Sequence, residues 1–305
     1  MHRTILVGLL AFGLGCATNA DTTEHVLEHG GRRRTYALHL PKGYATSTAA
    51  CPLVLVFHGG GGNAGHAEKS TRYSQLADEG GFIVVYPNGT GPLSNALLTW
   101  NSAGIPVYAV EHQVDDVGFA RALVATIART HRVDLRRVYA AGMSNGGMMV
   151  HRLAREASDV FAAVCDVSGA MNFTAADPKH PIGVMMIHGR ADQHVPYAGG
   201  RPSVEVRGDA SERTDTSVDT AIAYYVGHNQ LAGTPERKID GAVAIDRYAR
   251  TGAGEPARFE VVLVAIEGEG HTWPGGERMR LKADRPTQDV DATRASWEFF
   301  ARHTR

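Results

Sequence analysis

An α/β protein with a mainly parallel central sheet, flanked by helices in a single domain, is what this 305-residue sequence predicts. Three observations carry that expectation. "CPLVLVF" (residues 51–57), "FIVVY" (82–86) and "VVLVAI" (261–266) are uninterrupted apolar runs, as in strands covered on both faces. Segments with helical spacing alternate with such runs, which is the pattern of parallel strands joined by crossover helices. Glycine-rich turns follow several runs directly, as in "HGGGGN" (58–63) and "GEGH" (268–271).

The first stretch reads "MHRTILVGLLAFGLGCATNAD". Arg3, a short apolar run and a small-residue zone predict a removable export signal over residues 1–20. The run is too short for a stable membrane span. "GLGC" around Cys16 also suggests a lipoprotein box, although Gly13 stands where Leu is usual. A secreted or periplasmic protein is therefore expected, with lipidation through Cys16 as the alternative. Residues 21–305 read as one catalytic domain, since no repeat and no Pro-, Ser- or Thr-rich linker divides them.

"RRRTYALHLP" (32–41) follows the expected signal, and its arginine run reads as a solvated face. The buried runs at 51–57 and 81–89 follow. Residues 114–131 place Val117, Ala120, Val124 and Ile127 on one helical face, with Asp115 or Asp116 as N-cap. A strand at 136–144 leads into a helix at 146–156. Strand-like runs occupy 161–169, 182–192 and 259–271, and helices occupy 216–229 and 291–303. The acidic stretch from Glu205 to Asp219 reads as a mobile insertion beside the cleft.

Hydrophobic residues make up 43% and charged residues 21%, enough apolar material for a large core. The formal net charge of -1 offers no polyanion-binding surface, so no nucleic-acid partner is expected. Cys51 and Cys165 are expected as two buried free thiols. No Cys/His spacing suits a structural metal, and neither metal nor cofactor is expected.

The chemistry centres on "GMSNG", where Ser144 fits G-x-S-x-G between a predicted strand and a predicted helix. Such a turn exposes the hydroxyl and aims the next backbone N–H at the reacting carbonyl. An acyl-transfer site also needs oxyanion donors, which the glycines after residue 57 can supply through their backbone. Gly60 or Gly61, with Asn145, are the candidates. His58 reads as the holder of that loop through hydrogen bonds. The general base is expected late in the chain, at His271 in its Gly-flanked loop after a strand. Asp192, just past "VMMIHG", is the matching acid. The order Ser144, Asp192, His271 is that of an α/β-hydrolase. Asp115 and Asp116 read as helix cap and loop anchor, not as a glycosidase pair.

Together "HGGGGN", "GFIVVYPNG", "VDDVGFARALV", "RRVYAAGMSNGGMM", "FAAVCDVSGAM", "IHGRADQHVPY" and "GEGHTWPGG" resemble the polyhydroxybutyrate depolymerase family and the related feruloyl and acetylxylan esterases. The resemblance spans roughly residues 34–305. It implies the α/β-hydrolase fold, the triad Ser144, Asp192 and His271, and a strand order that puts the Ser144 strand between those of Cys51 and Cys165. Two features depart from many relatives. Extra cysteines around the late helix are missing. The chain also ends on "WEFFARHTR", which reads as the final helix of the catalytic domain where many secreted depolymerases continue into a linker and polymer-binding module, so efficient attack on solid polymer is not expected.

The expected activity is serine-esterase hydrolysis of hydroxyalkanoate oligomers or polyesters, with feruloyl or acetylxylan ester hydrolysis as the alternative. His271 would take the Ser144 proton, Asp192 would orient the imidazole, and activity would rise through a limb near pH ~6–7 as a histidine becomes neutral. Trp273, Trp100 and Tyr197 are candidates for the substrate wall, with Tyr108 behind them. A peptidase and a non-catalytic binding protein are the rival classes. Peptide cleavage would mark the first, and failure of a fluorophosphonate to label Ser144 the second.

Overall fold

A hairpin opens the described chain. β1 (Thr22–His29) and β2 (Arg32–His39) pair antiparallel through Gly30 and Gly31, at φ 57° and 69°. Two successive left-handed residues are what the tightest primed hairpin turn requires, and glycine adopts them without strain. The computed structural model describes residues 22–172, 177–204, 213–250, 259–278 and 283–305. The export signal expected over residues 1–20 lies outside them.

The remaining elements follow in chain order. β3 (Cys51–Phe57) leads to α1 (Ala64–Thr71), α2 (Tyr73–Gly80) and β4 (Ile83–Pro87). The short α3 (Tyr108–Glu111) precedes α4 (Asp116–Thr130), β5 (Val133–Met143), α5 (Asn145–Glu156) and β6 (Ala163–Val167). β7 (Gly183–Gly189), α6 (Val218–His228), β8 (Glu236–Asp240), β9 (Val243–Tyr248), β10 (Val261–Ile266) and α7 (Ala292–Phe300) complete it.

One sheet holds the ten strands in the order β1-β2-β4-β3-β5-β6-β7-β10-β9-β8. The central six, from β4 to β10, are mutually parallel, and antiparallel strands close both edges. The outermost strand, β8, is exposed throughout and carries Glu236, Arg237 and Lys238. Charges on an open edge discourage pairing with another chain.

The uninterrupted apolar runs are explained by two cores, one on each face. In β3, Leu53, Leu55 and Phe57 join Phe119 and Leu123 of α4, Met149 and Leu153 of α5 and Tyr225 of α6. The intervening Val54 and Val56 join Tyr73 and Ala77 of α2 and Phe299 and Phe300 of α7. A strand covered on both sides needs apolar residues at every position, not at alternate ones.

The cysteine expectation holds. Cys51 and Cys165 are free and buried, and β5 lies between their strands. They also belong to opposite cores. No described helix is long and apolar enough to cross a membrane.

Two expectations fail. Arg34 is not part of a solvated face. It is 2% exposed, and its guanidinium donates to Asp116 Oδ1 at 2.7 Å and to the Asn88 carbonyl at 3.1 Å. The strand alternates, so one arginine of the run must point inward. Nor is the stretch around Asp215 a mobile insertion where it is described. Asp215 is buried, ion-paired with Arg213 at 2.6 Å, and exchanges backbone hydrogen bonds with Gly200. Residues 205–212 lie outside the described chain.

Candidate active site

β5 ends at Met143 and α5 begins at Asn145, so the chain reverses direction on Ser144 alone. Its backbone stands at φ 55° and ψ -123°. That region costs a non-glycine residue about 1–3 kcal/mol and persists only where surrounding structure enforces it. Here the Ser144 N–H donates to the Val167 carbonyl at 2.9 Å, and its own carbonyl accepts from Met148 at 2.8 Å.

The flanking glycines are a steric demand. A side chain at Gly142 would overlap the Gly146 carbonyl, and one at Gly146 would overlap the carbonyls of Phe57 and His58. β3, β5 and α5 therefore approach one another at a point where only bare backbone fits.

The glycine turn after β3 lies against this corner. A Cβ built on Gly59 would sit 3.6 Å from Ser144 Cβ, and one on Gly60 would sit 3.6 Å from Asn145 Cβ. His58 locks the turn as expected. One ring nitrogen accepts from the Gly89 N–H at 3.0 Å, and the other donates to the Gly59 carbonyl at 2.8 Å. Burial pushes the His58 pKa down to about 4, which keeps the ring neutral and preserves both roles. Of the expected oxyanion donors, Gly61 is corrected. Its N–H is taken by the Leu98 carbonyl at 2.8 Å. Gly60 and Asn145 remain as candidates.

Asn145 also does something its backbone role did not suggest. Its side chain accepts from the Trp100 N–H at 2.8 Å and donates to the Trp100 carbonyl at 3.2 Å and to Ser102 Oγ at 3.0 Å. The segment carrying Trp100 is thus clamped to the start of α5. Nothing in a linear reading marks an asparagine for such a clamp.

β7 and β10 are hydrogen-bonded neighbours, and the loops after them carry Asp192 and His271. Asp192 Oδ2 lies 2.7 Å from His271 Nδ1. The other carboxylate oxygen accepts from the His194 and Val195 N–H groups at 2.8 and 2.9 Å. His188 lies beneath, with Nε2 3.5 Å from Asp192 Oδ2 and 2.8 Å from the Val195 carbonyl. The His271 loop has its own anchors. Asp284 accepts from the His271 N–H at 2.8 Å, and Glu269 accepts from Thr272 Oγ1 and from the Thr287 N–H. Ser168 Oγ, one residue past the carbonyl that holds Ser144, is 3.5 Å from the Thr272 carbonyl. The loop of His271 therefore touches the end of β6, the strand beside that of Ser144. Ser144 Oγ makes no hydrogen bond to a described residue.

The aromatic wall is not where the sequence suggests. Trp100 is 0% exposed, and its indole donates to the His58 carbonyl at 2.9 Å. Trp273 is 2% exposed and donates to Thr293 Oγ1 at 2.9 Å. Tyr197 is buried, with its hydroxyl on Asp219 Oδ1 at 3.2 Å. All three are occupied in holding loops to the scaffold. Asp115 and Asp116 are as expected: Asp115 caps α4 through the Gly118 N–H, and Asp116 accepts from the Asn101 N–H.

The fold is that of the α/β-hydrolases, and the chain's relatives mark the molecule as a carboxylic ester hydrolase. Residues 34–219 match the family described as Esterase PHB depolymerase, and the chain belongs to that family. The NocK protein of Nocardia uniformis subsp. tsuyamanensis is 32% identical over 272 residues, covering 85% of this chain and 76% of that one. Feruloyl esterase B of Neurospora crassa is 28% identical over 304 residues, covering 92% and 98%. Among solved structures, an acetyl xylan esterase from Aspergillus awamori shares the fold at TM-score 0.60 and 14% identity, covering 92% of this chain and 99% of that one.

Proposed function

We propose that Ser144, His271 and Asp192 form the nucleophile, base and acid of a two-step ester hydrolysis. The observation that carries this reading is the 2.7 Å contact between Asp192 and His271, with the His271 loop touching Ser168, the residue after the Val167 carbonyl that holds the Ser144 N–H. His271 takes the hydroxyl proton as Ser144 attacks the ester carbonyl. Asp192 fixes the tautomer and offsets the positive charge on the ring. The backbone N–H groups of Gly60 and Asn145 receive the oxyanion. The imidazolium then protonates the leaving alcohol, and water repeats the sequence on the acyl-enzyme. Ser144→Ala should abolish p-nitrophenyl butyrate hydrolysis, and a fluorophosphonate should label Ser144. Retained activity in that variant would refute the assignment.

Hydroxyalkanoate oligomers are the substrate class we favour. Leu93 and Leu97 are 54% and 55% exposed, and the adjoining Leu98 carbonyl accepts from the Gly61 N–H of the glycine turn. An apolar rim there suits a greasy acyl chain. The second reading, a feruloyl or acetylxylan esterase, is favoured by the relatives named for those activities. Hydroxybutyrate oligomers, methyl ferulate and acetylated xylan assayed side by side decide between them. Leu97→Ser should raise KM for the oligomers and leave acetate esters unchanged. We also read residues 1–20 as a removable export signal. N-terminal sequencing of the mature protein should begin at Asp21, and palmitate label on Cys16 would overturn that.

A further inference from the structure

We propose that Asp192, His194 and His271 form a site for one divalent transition ion of the Zn2+ kind, and that its binding switches the esterase off. The inference rests on the role given to His271 above. One ligand atom from each of the three residues lies within 4.8 Å of the other two. Ligands that share a zinc ion sit at about 2 Å from it, so no pair can be more than about 4 Å apart. A movement of roughly 1 Å by one ring is enough to close the set.

His194 is the ring placed to make that movement. Its backbone is fixed, because its N–H is held by Asp192 Oδ1 at 2.8 Å and its carbonyl accepts from Arg213 at 3.1 Å. Its imidazole stacks on that of His271, with centroids 4.9 Å apart and planes 28° from parallel. Its Nδ1 is buried and has no hydrogen-bond partner among the described residues. A rigid backbone thus presents an uncommitted imidazole nitrogen beside the Asp192–His271 pair. Two imidazoles and one carboxylate are a common donor set for zinc. No local sequence pattern announces it, because His271 is 79 residues from Asp192.

The chemistry balances without any change of oxidation state. The hydrated ion sheds water and binds His271 Nδ1 in place of the proton shared with Asp192 Oδ2, and that proton is taken up at His271 Nε2 through solvent, so the ring stays neutral. With the ion on Nδ1 and a proton on Nε2, His271 has no lone pair left to accept the Ser144 proton, and hydrolysis stops until the ion is withdrawn.

Two measurements on the full mature chain test this. Calorimetric titration with Zn2+ should show one ion bound per chain, with the same affinity in wild type and Ser144→Ala. Hydrolysis of p-nitrophenyl butyrate should fall over the same zinc range and return on adding EDTA. Losing even an outer-shell partner of a metal ligand costs about 10–100-fold in affinity, so His194→Gln should weaken binding by at least about tenfold. The inhibitory zinc concentration, measured against that variant's own zinc-free rate, should rise equally. No binding up to about 1 mM, unchanged affinity in His194→Gln, or undiminished hydrolysis with the ion bound would each overturn the proposal. Failure of the catalytic reading would show separately, as esterase activity surviving in Ser144→Ala.

Discussion

Asp192 Oδ2 meets His271 Nδ1 at 2.7 Å across 79 residues of chain. The two loops are stitched together by the Ala191 N–H on the Glu269 carbonyl at 2.9 Å and the Arg190 N–H on the Ile266 carbonyl at 2.9 Å. One carboxylate oxygen is immobilised by two backbone N–H groups, which leaves the other aimed at the imidazole. Burial alone would raise the Asp192 pKa. The hydrogen bond from His271, the charges of His271 and His188 and the Val195 N–H outweigh it, and the pKa is lowered.

Asp192→Asn should therefore lower kcat by roughly 10⁴-fold while the fold survives, because the amide leaves His271 in the wrong tautomer. Hydrolysis of p-nitrophenyl butyrate and a thermal melt check the two halves. The lowered carboxyl also sets a sign. Its contribution to stability is present above the unfolded value of about 3.9 and is lost only as pH falls through the lower folded value. The pH–rate profile should show no carboxylate limb above pH ~4. A limb there that vanishes in Asp192→Asn would contradict the direction of the shift.

Gly146→Ala should disable the enzyme through backbone geometry alone. The added methyl meets carbonyl oxygens of β3 and its turn, which have no rotamer with which to yield. The Ser144 corner and the glycine turn must separate. We expect activity to fall by about 10²-fold or more, as a misplacement near 1 Å does. Stability should drop by about 1–3 kcal/mol, as overpacking does. Activity close to wild type would mean that the corner is more compliant than this contact suggests.

His58 gives the fold a pH dependence with a definite sense. Its pKa is about 4 when folded and about 6.5 when unfolded. The unfolded chain thus binds more protons between those values, and stability falls as pH drops from about 6.5 to about 4. Below that the contribution is flat. The window spans up to about 3 kcal/mol for this residue. His188, His131 and His303 are shifted in the same direction by burial, so the difference between variants is the informative quantity. Urea midpoints for wild type and His58→Gln, compared from pH 4 to 7, should converge toward the acid end. Parallel curves would mean that His58 is already charged in the folded state.

Legibility in the sequence followed what is local. Runs such as residues 51–57 announced buried strands because both faces of β3 are apolar. Ser144, Asp192 and His271 stood out because each follows a strand and the three come in a recognisable order. β1 was not legible, since "TTEHVLEH" alternates polar residues and becomes a strand only by pairing with β2. β8 is wholly exposed and carries no burial pattern at all. The roles of Trp100 and Asn145 were hidden for another reason. Both depend on a contact between segments 45 residues apart, and the indole that looked free to line a cleft is spent on the His58 carbonyl.

The buried pair Arg34–Asp116 is where a single substitution should destabilise the rim most. Asp116 is 0% exposed, and its two oxygens are divided between Arg34 and the Asn101 N–H, next to Trp100. Burial raises the Asp116 pKa despite Arg34, so the carboxylate depends heavily on that guanidinium. Arg34→Met should cost about 3–5 kcal/mol, because it strands a charge away from water. Asp116→Asn on the same background removes the stranded charge and keeps an acceptor for Asn101. The double variant should recover more than half of the loss in urea unfolding, a coupling of about 1–3 kcal/mol. Additive losses would show that the two residues act independently. In that case the rim near Trp100 would be held by packing and not by this pair.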